Sequence, residues 1–252
     1  MMSHETTTHV TELSFSGCHV NAQVVEGARQ FRVREPSIVV NVGMTPVILA
    51  TTLAEVIEPL GSTIVRETTI ESADRLVVLS VDEERNIGQI VFDPGWVRYW
   101  QLLVEQLGED GAVATGYKQG TPLWRSSQDT IGTVALDPLY LAGQRPTPQN
   151  PVPFQVKVNL WFATQETDCS IHNQHDFIEF HTQVFGVGHM QKFRERDAGT
   201  LYQDMVMAAG YTTPGAFCRV GDHGQFQYVW HQYVARTDCI WMAIEYHPCS
   251  TP

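Results

Sequence analysis

Hydrophobic spacing divides this chain into stretches of different periodicity. Over residues 96–107 the apolar positions Val97, Trp100, Leu103, Val104 and Leu107 recur every three or four residues, and Gly108 follows where an amphipathic helix would stop. Upstream lie an apolar run at 37–43 and a helix-like stretch at 45–60, with Pro46 in its first turn, where proline is tolerated. Strand-like runs are expected at 63–70, 76–81 and 87–92, before Asp93-Pro94-Gly95 punctuates the chain. Residues 111–141 return to short, turn-bounded runs. They lead into Arg145-Pro-Thr-Pro-Gln-Asn-Pro-Val-Pro153, whose prolines favour extended backbone and place the main boundary there or make the segment a strap over one domain.

Beyond that connector nearly every apolar run reads as strand. Residues 156–162, 177–185, 201–208, 225–234 and 239–246 are rich in β-branched and aromatic side chains, and Gly, Pro or Asp clusters separate most of them. About a hundred residues of such strands predict a small sandwich or barrel. The expected organisation is a polar tail over 1–15, an N-terminal α+β region over 16–150 and a β-barrel over 151–252; a degenerate second barrel in the N-terminal half stays open.

Composition narrows the partners. Among 252 residues, 43% hydrophobic and 17% charged make a globular mixture with enough chain for a sizeable core. Sixteen Lys plus Arg face twenty-eight Asp plus Glu, a formal charge of -12, so neither nucleic acid nor an anionic membrane is expected as a partner. A small-molecule substrate is expected instead, and assembly as a homodimer is left open. No basic flank and apolar run begins the chain, and five scattered cysteines are an odd number, so a cytoplasmic protein with reduced thiols is expected.

Four of the ten histidines fall between residues 172 and 189. If 177–185 is a strand, Glu179, His181, Gln183 and Phe185 share one face, and Ile178, Phe180, Thr182 and Val184 the other. A carboxylate, an imidazole and an amide in one inward row need partners, and a metal supplies one. Imidazole with carboxylate suits divalent Fe, Mn, Ni, Zn or Cu.

Here the chain resembles the cupin superfamily of double-stranded β-helix barrels, over roughly residues 152–247. That family's first motif runs G-x5-H-x-H-x3,4-E-x6-G, and His175-x3-Glu179-x6-Gly186 fits its second half. No Gly stands near 167, and Asn173 and Gln174 occupy the places where the first or second His would be, so His172 joins only if the strand bulges at Asn173–Gln174. The second motif, G-x5-P-x-G-x2-H-x3-N, keeps only His231, just before the final strand; Phe226, Tyr228 and Ala235 replace its Pro, Gly and Asn. The resemblance implies one metal on His172, His175, Glu179 and His231, with one or two positions left for water, dioxygen or substrate.

A rival reads Cys169-x2-His172-x2-His175 as part of a closed zinc site, with spacing shorter than usual. His181, one pleat repeat beyond Glu179, is placed to act on substrate as general acid or base. Gln183, Arg194, Trp230 and Tyr233 are candidate substrate contacts. Arg194 alternates with Lys192 and Arg196 as three cations that an extended segment would align, while Trp230, Tyr233 and Trp241 flank His231. The fold expected is mainly β, a cupin-like barrel with an N-terminal α+β region. The function expected is a metal-dependent enzyme on a small organic molecule, an Fe(II) oxygenase first. The alternatives are a non-oxidative isomerase, epimerase or lyase, and a protein that only binds metal or ligand.

Overall fold

The computed structural model describes residues 7–53 and 55–249. It is mainly β. The first sheet holds β1 (His9–Glu12), β2 (Val20–Val33), β3 (Ser37–Asn41), β4 (Val47–Leu49), β5 (Val56–Ile57), β6 (Ser62–Val65) and β7 (Thr68–Val81). Its order is β1-β2-β7-β3-β6, with β4 pairing both β7 and β5, all antiparallel. Part of the expected polar tail is therefore an edge strand, since β1 runs beside β2 from His9 opposite Glu26. Residues 1–6 lie outside the described residues.

Two N-terminal expectations fail for physical reasons. The stretch 45–60 is not helical. Val47 and Leu49 are buried either side of half-buried Ile48, a period of two, and the β-branched Val56 and Ile57 pair back onto them. Residues 87–92 form a 3-10 turn rather than a strand. Asn86 caps it by accepting a hydrogen bond from the Gly88 N–H, and the buried Ile87 and Ile90 stand one such turn apart.

The chain continues through β8 (Val97–Arg98), α1 (Tyr99–Thr115), β9 (Leu123–Leu136), α2 (Pro138–Leu141), β10 (Val152–Ala163), β11 (Ile178–Phe185), β12 (Val187–Phe193), β13 (Leu201–Ala208), β14 (Cys218–Val220), β15 (Phe226–Tyr228), β16 (Trp230–Ala235) and β17 (Cys239–Pro248). Helix α1 lies where the amphipathic pattern puts it. Gly108, at φ 74°, breaks it before it resumes to end at Gly116 in the left-handed conformation.

Two sheets build the barrel. One runs β11-β17-β10-β9-β8 and the other β13-β12-β16. The β11-β17-β10-β9-β8 sheet spans the Pro-rich connector, because β9, from before it, pairs with β10, from after it. Asp137 pins that connector. Its buried carboxylate accepts hydrogen bonds from the backbone N–H groups of Leu139, Gln149 and Asn150 and pairs with Arg145. Strand β12 escapes the hydrophobic pattern because Gly188, His189, Gln191 and Lys192 interrupt its apolar residues. At Gly186, between β11 and β12, φ is +74° and an added Cβ would collide with the Asp238 carbonyl, so the turn requires glycine.

Every residue of β11 but the last is buried, so both its faces are covered. The Phe180 face packs with Tyr246, Val158 and Ile244 into one core with Val24, Val40 and Leu79 of the first sheet. The Tyr246 hydroxyl donates to the Val42 carbonyl across that junction. The Glu179 face is left looking into the barrel. Among the described residues no helix is long and apolar enough to cross a membrane.

Removing the aromatic wedge at this junction tests the packing. Phe180→Ala should cost about 3–5 kcal/mol in urea unfolding, whereas Leu53→Ala, at an 82% exposed site, should stay within about 0.5 kcal/mol. Equal effects would contradict the shared core.

Candidate metal centre

The site begins with a backbone contact between distant segments. His172 and His231 form an antiparallel bridge, the N–H of each donating to the carbonyl of the other at 3.0 and 2.9 Å. This pairing brings their rings to 4.4 Å between centroids. No bulge at Asn173–Gln174 is needed, because those residues lie outside any ladder and let the chain turn until His175 faces the same point. His175 Nε2 then lies 3.3 Å from His231 Nε2. One donor atom from each of His172, His175 and His231 falls within 4.8 Å of the others.

The rings are already oriented for metal. His172 Nδ1 lies 3.0 Å from the Ser170 carbonyl and His231 Nδ1 lies 2.8 Å from the Val229 carbonyl. A carbonyl only accepts, so each Nδ1 carries the proton and each Nε2 keeps its lone pair. Burial pushes all three imidazoles below their ordinary pKa, helped for His172 and His231 by the neighbouring histidines, and brings His172 to about 4. Three buried imidazoles with converging ring nitrogens, two of them with the Nε2 lone pair set by a carbonyl behind the ring, are a donor set that fits a borderline divalent cation. Nitrogens bound to one metal at about 2.1 Å sit roughly 3.0–3.4 Å apart, the spacing of the His175 and His231 Nε2 atoms.

Glu179 approaches from β11. Burial alone would raise its carboxyl, but the neighbouring His181 and His175 and the hydrogen bond from His181 outweigh it and hold the group well below the usual carboxylate range. Its Oε2 is 3.9 Å from His175 Nε2 and its Oε1 is 3.2 Å from His181 Nε2. The carboxylate therefore stands at the rim of the three-histidine cluster, one oxygen toward it and the other on His181. An ionised Glu179 requires the His181 proton on Nε2, which leaves Nδ1 as the free nitrogen; it is buried without a hydrogen-bond partner. Tyr228 fixes this edge, since its hydroxyl donates to the Phe177 carbonyl and accepts the Glu179 N–H, while its ring packs on His175 at 4.6 Å.

These groups open into a cavity of about 580 Å³. Tyr99, Thr115 and Tyr117 line one side, so α1 and the residues after it form part of the cavity wall. The aromatic contacts run from Trp161 to Tyr99, from Tyr99 to Tyr117 and on to His172. Burial raises both tyrosines, Tyr99 to about 12, so their hydroxyls stay protonated.

The other expected contacts separate. Trp230 and Tyr233 line the cavity. Gln183 is fully buried behind it, accepting from the Tyr233 hydroxyl and donating to the Phe185 carbonyl. Arg194 lies outside, over Tyr202, because β12 ends at Phe193 and the chain turns there. Lys192 sits over Phe217 and Arg196 reaches the Thr115 carbonyl, so the three cations do not share a face. Cys169 borders the cavity but does not join the histidine cluster, and burial pushes its thiol up, away from the thiolate that zinc requires.

Sequence spacing missed Glu245, which stands directly opposite Glu179 on β17 and accepts from Asn159 and Gln128 beside His247. It missed Arg125, Gln128, Tyr99, Tyr117 and Trp161 as well. Strand pairing brings Arg125, Gln128 and Trp161 to the cavity, and helix α1 with the turn after it brings Tyr99 and Tyr117.

No family model matches the chain, and no curated protein matches it. Cupins are among the similar solved structures. A Cupin 2 conserved barrel domain protein from Leptotrichia buccalis shares 9% identity, with 98% of this chain and 92% of that one covered, at a TM-score of 0.30. An oxalate oxidase in complex with glycolate shares 17% over 37% of this chain and 42% of its own, at 0.28. A sugar phosphate isomerase from a cupin superfamily of Silicibacter pomeroyi shares 21% over 37% and 51%, at 0.27. This chain thus spans less than half of the oxalate oxidase. Such slight likenesses fix neither reaction nor ligands, and the site stands on its own geometry.

The buried neutral histidines set a pH dependence. His172 takes up a proton in the unfolded chain near pH 6.5 but in the folded, metal-free chain only near 4, so unfolding gains a proton and stability falls across that window. Between pH 7.5 and 5, His172→Gln should lose about 2 kcal/mol less than the wild type, read by urea unfolding after chelation. Parallel pH profiles would show that His172 is not held neutral.

Proposed function

We propose that this protein is a metal-dependent, cupin-type enzyme acting on a small organic molecule, with one divalent metal on His172, His175, His231 and Glu179. The observation that carries the reading is the convergence of three imidazoles, two with their Nε2 lone pairs set by backbone carbonyls, beside an ionised carboxylate in a cavity. Four protein ligands on an octahedral ion leave two positions open. Bound there, Fe(II) would supply redox chemistry at those positions, and Mn, Ni, Zn or Cu would suit the same donors. We favour Fe(II) and an oxygenase reaction.

The chain's own residues have definable tasks. His172 and His231 hold their lone pairs inward without a proton to displace at neutral pH. His181 keeps a proton on Nε2 against Glu179, and this orients the carboxylate as carboxylate–histidine pairs do around metals. Tyr99 and Tyr117, protonated at any physiological pH, can donate to a substrate oxygen. Helix α1 contributes Tyr99, Gln106, Ala114 and Thr115 to the cavity wall.

The unpartnered His181 Nδ1 supports a second reading, an isomerase or lyase in which His181 moves the proton and the metal polarises an oxygen. Under either reading His181→Gln keeps the metal and lowers kcat by about 10²–10⁴-fold, since the imidazole touches Glu179 rather than the three-histidine cluster. Metal loss in that variant would put His181 among the ligands. Oxygen dependence decides between the two: turnover that stops anaerobically supports the oxygenase, and undiminished anaerobic turnover the proton-transfer enzyme.

A further inference from the structure

Two guanidinium groups line the cavity: Arg196 is taken up by the Thr115 carbonyl and the Trp230 ring, whereas the chain supplies Arg125 no anion. Arg125 lies on β9 opposite Trp161 on β10, which pairs in turn with Trp241 on β17 and that with Gln183 on β11. One row further along the sheet comes Gln128, then Asn159, Ala243 and His181. Arg125 and His181 therefore belong to the same concave face, three strands apart, or about 14 Å of backbone at the usual strand spacing of about 4.8 Å.

The Arg125 Nε is buried with no hydrogen-bond partner, and among the described residues the side chain makes no ion pair. Its guanidinium carbon is 6.0 Å from the Trp161 ring, at the outer limit of a cation–π contact. A guanidinium buried with a donor unsatisfied is costly, and a planar fork of N–H groups is matched by a carboxylate. The two acids within the same cavity are committed elsewhere. Glu179 is held by His181, and Glu245 by Gln128 and Asn159. Those two carboxylates stand opposite each other in the β11–β17 register, at the histidine end of the cavity, so neither is available to Arg125. A ligand carboxylate is matched at the Arg125 end.

We infer that the substrate is a small organic carboxylate whose carboxylate sits on Arg125 and whose apolar body lies along Trp161 toward the histidine cluster. This rests on the enzyme reading for the word substrate, but the anion site itself does not require the metal.

Benzoate and its neutral isostere benzamide are suitable probes, titrated against the full chain by tryptophan fluorescence, both metal-loaded and after chelation. Benzoate should bind at least about tenfold more tightly than benzamide. Arg125→Gln should erase that preference and leave metal content unchanged, and Arg125→Lys should keep part of it. A wild-type circular dichroism spectrum and melting temperature for both variants would show that the loss is local. Equal affinity for the two probes, or no binding of either, overturns the inference, as does unchanged benzoate affinity in Arg125→Gln. Charge preference in a wild-type protein that takes up no metal on loading would sustain the anion site and sink the metal enzyme, so the two failures read differently.

Discussion

Everything in the candidate centre depends on the backbone pairing of residues 167–172 with residues 231–235, which ends in two reciprocal hydrogen bonds between His172 and His231. This pairing fastens the irregular segment before β11 to β16 in the opposite sheet and brings together imidazoles that lie far apart along the chain. The same local geometry puts the Ser170 and Val229 carbonyls behind the two rings, which fixes the tautomer of each. Backbone pairing thus supplies both proximity and chemistry. A side-chain contact alone would leave the rings free to turn.

The surrounding layers make this arrangement matter. Strand β11 is buried on its Phe180 side by the N-terminal sheet and on its Glu179 side by the barrel interior, so its polar row has no water to fall back on. Desolvation then does two opposite things. It keeps the histidines neutral, ready to ligate, and it would neutralise Glu179 were His181 and His175 not beside it. Three bases and one ionised acid, each in the protonation state a divalent metal needs, follow from one burial pattern.

Much of this was legible in the sequence. The alternation of β11 predicted which face carried Glu179 and His181, and the spacing to Gly186 marked the turn where φ is positive. His172 was legible only as a candidate, because its place depends on pairing with a residue far along the chain rather than on the bulge the local spacing suggested. The stretch 45–60 misled because its β-branched pairs lie in two short strands, of which β4 joins the sheet through β7 and β5 pairs with β4. Arg125 left no signal. A register shift between Asn159 and Trp161 moves it and Gln128 onto one face, which simple alternation along β9 would not have done.

The central claim is that three histidines and one carboxylate hold a single metal. Elemental analysis after loading with Fe(II) and desalting tests it most directly, comparing the wild type with His172→Ala, His175→Ala, His231→Ala and Glu179→Ala. The account predicts one metal per wild-type chain and a sharp loss in each variant. Full occupancy in all four, or a wild-type protein that retains none, would contradict it.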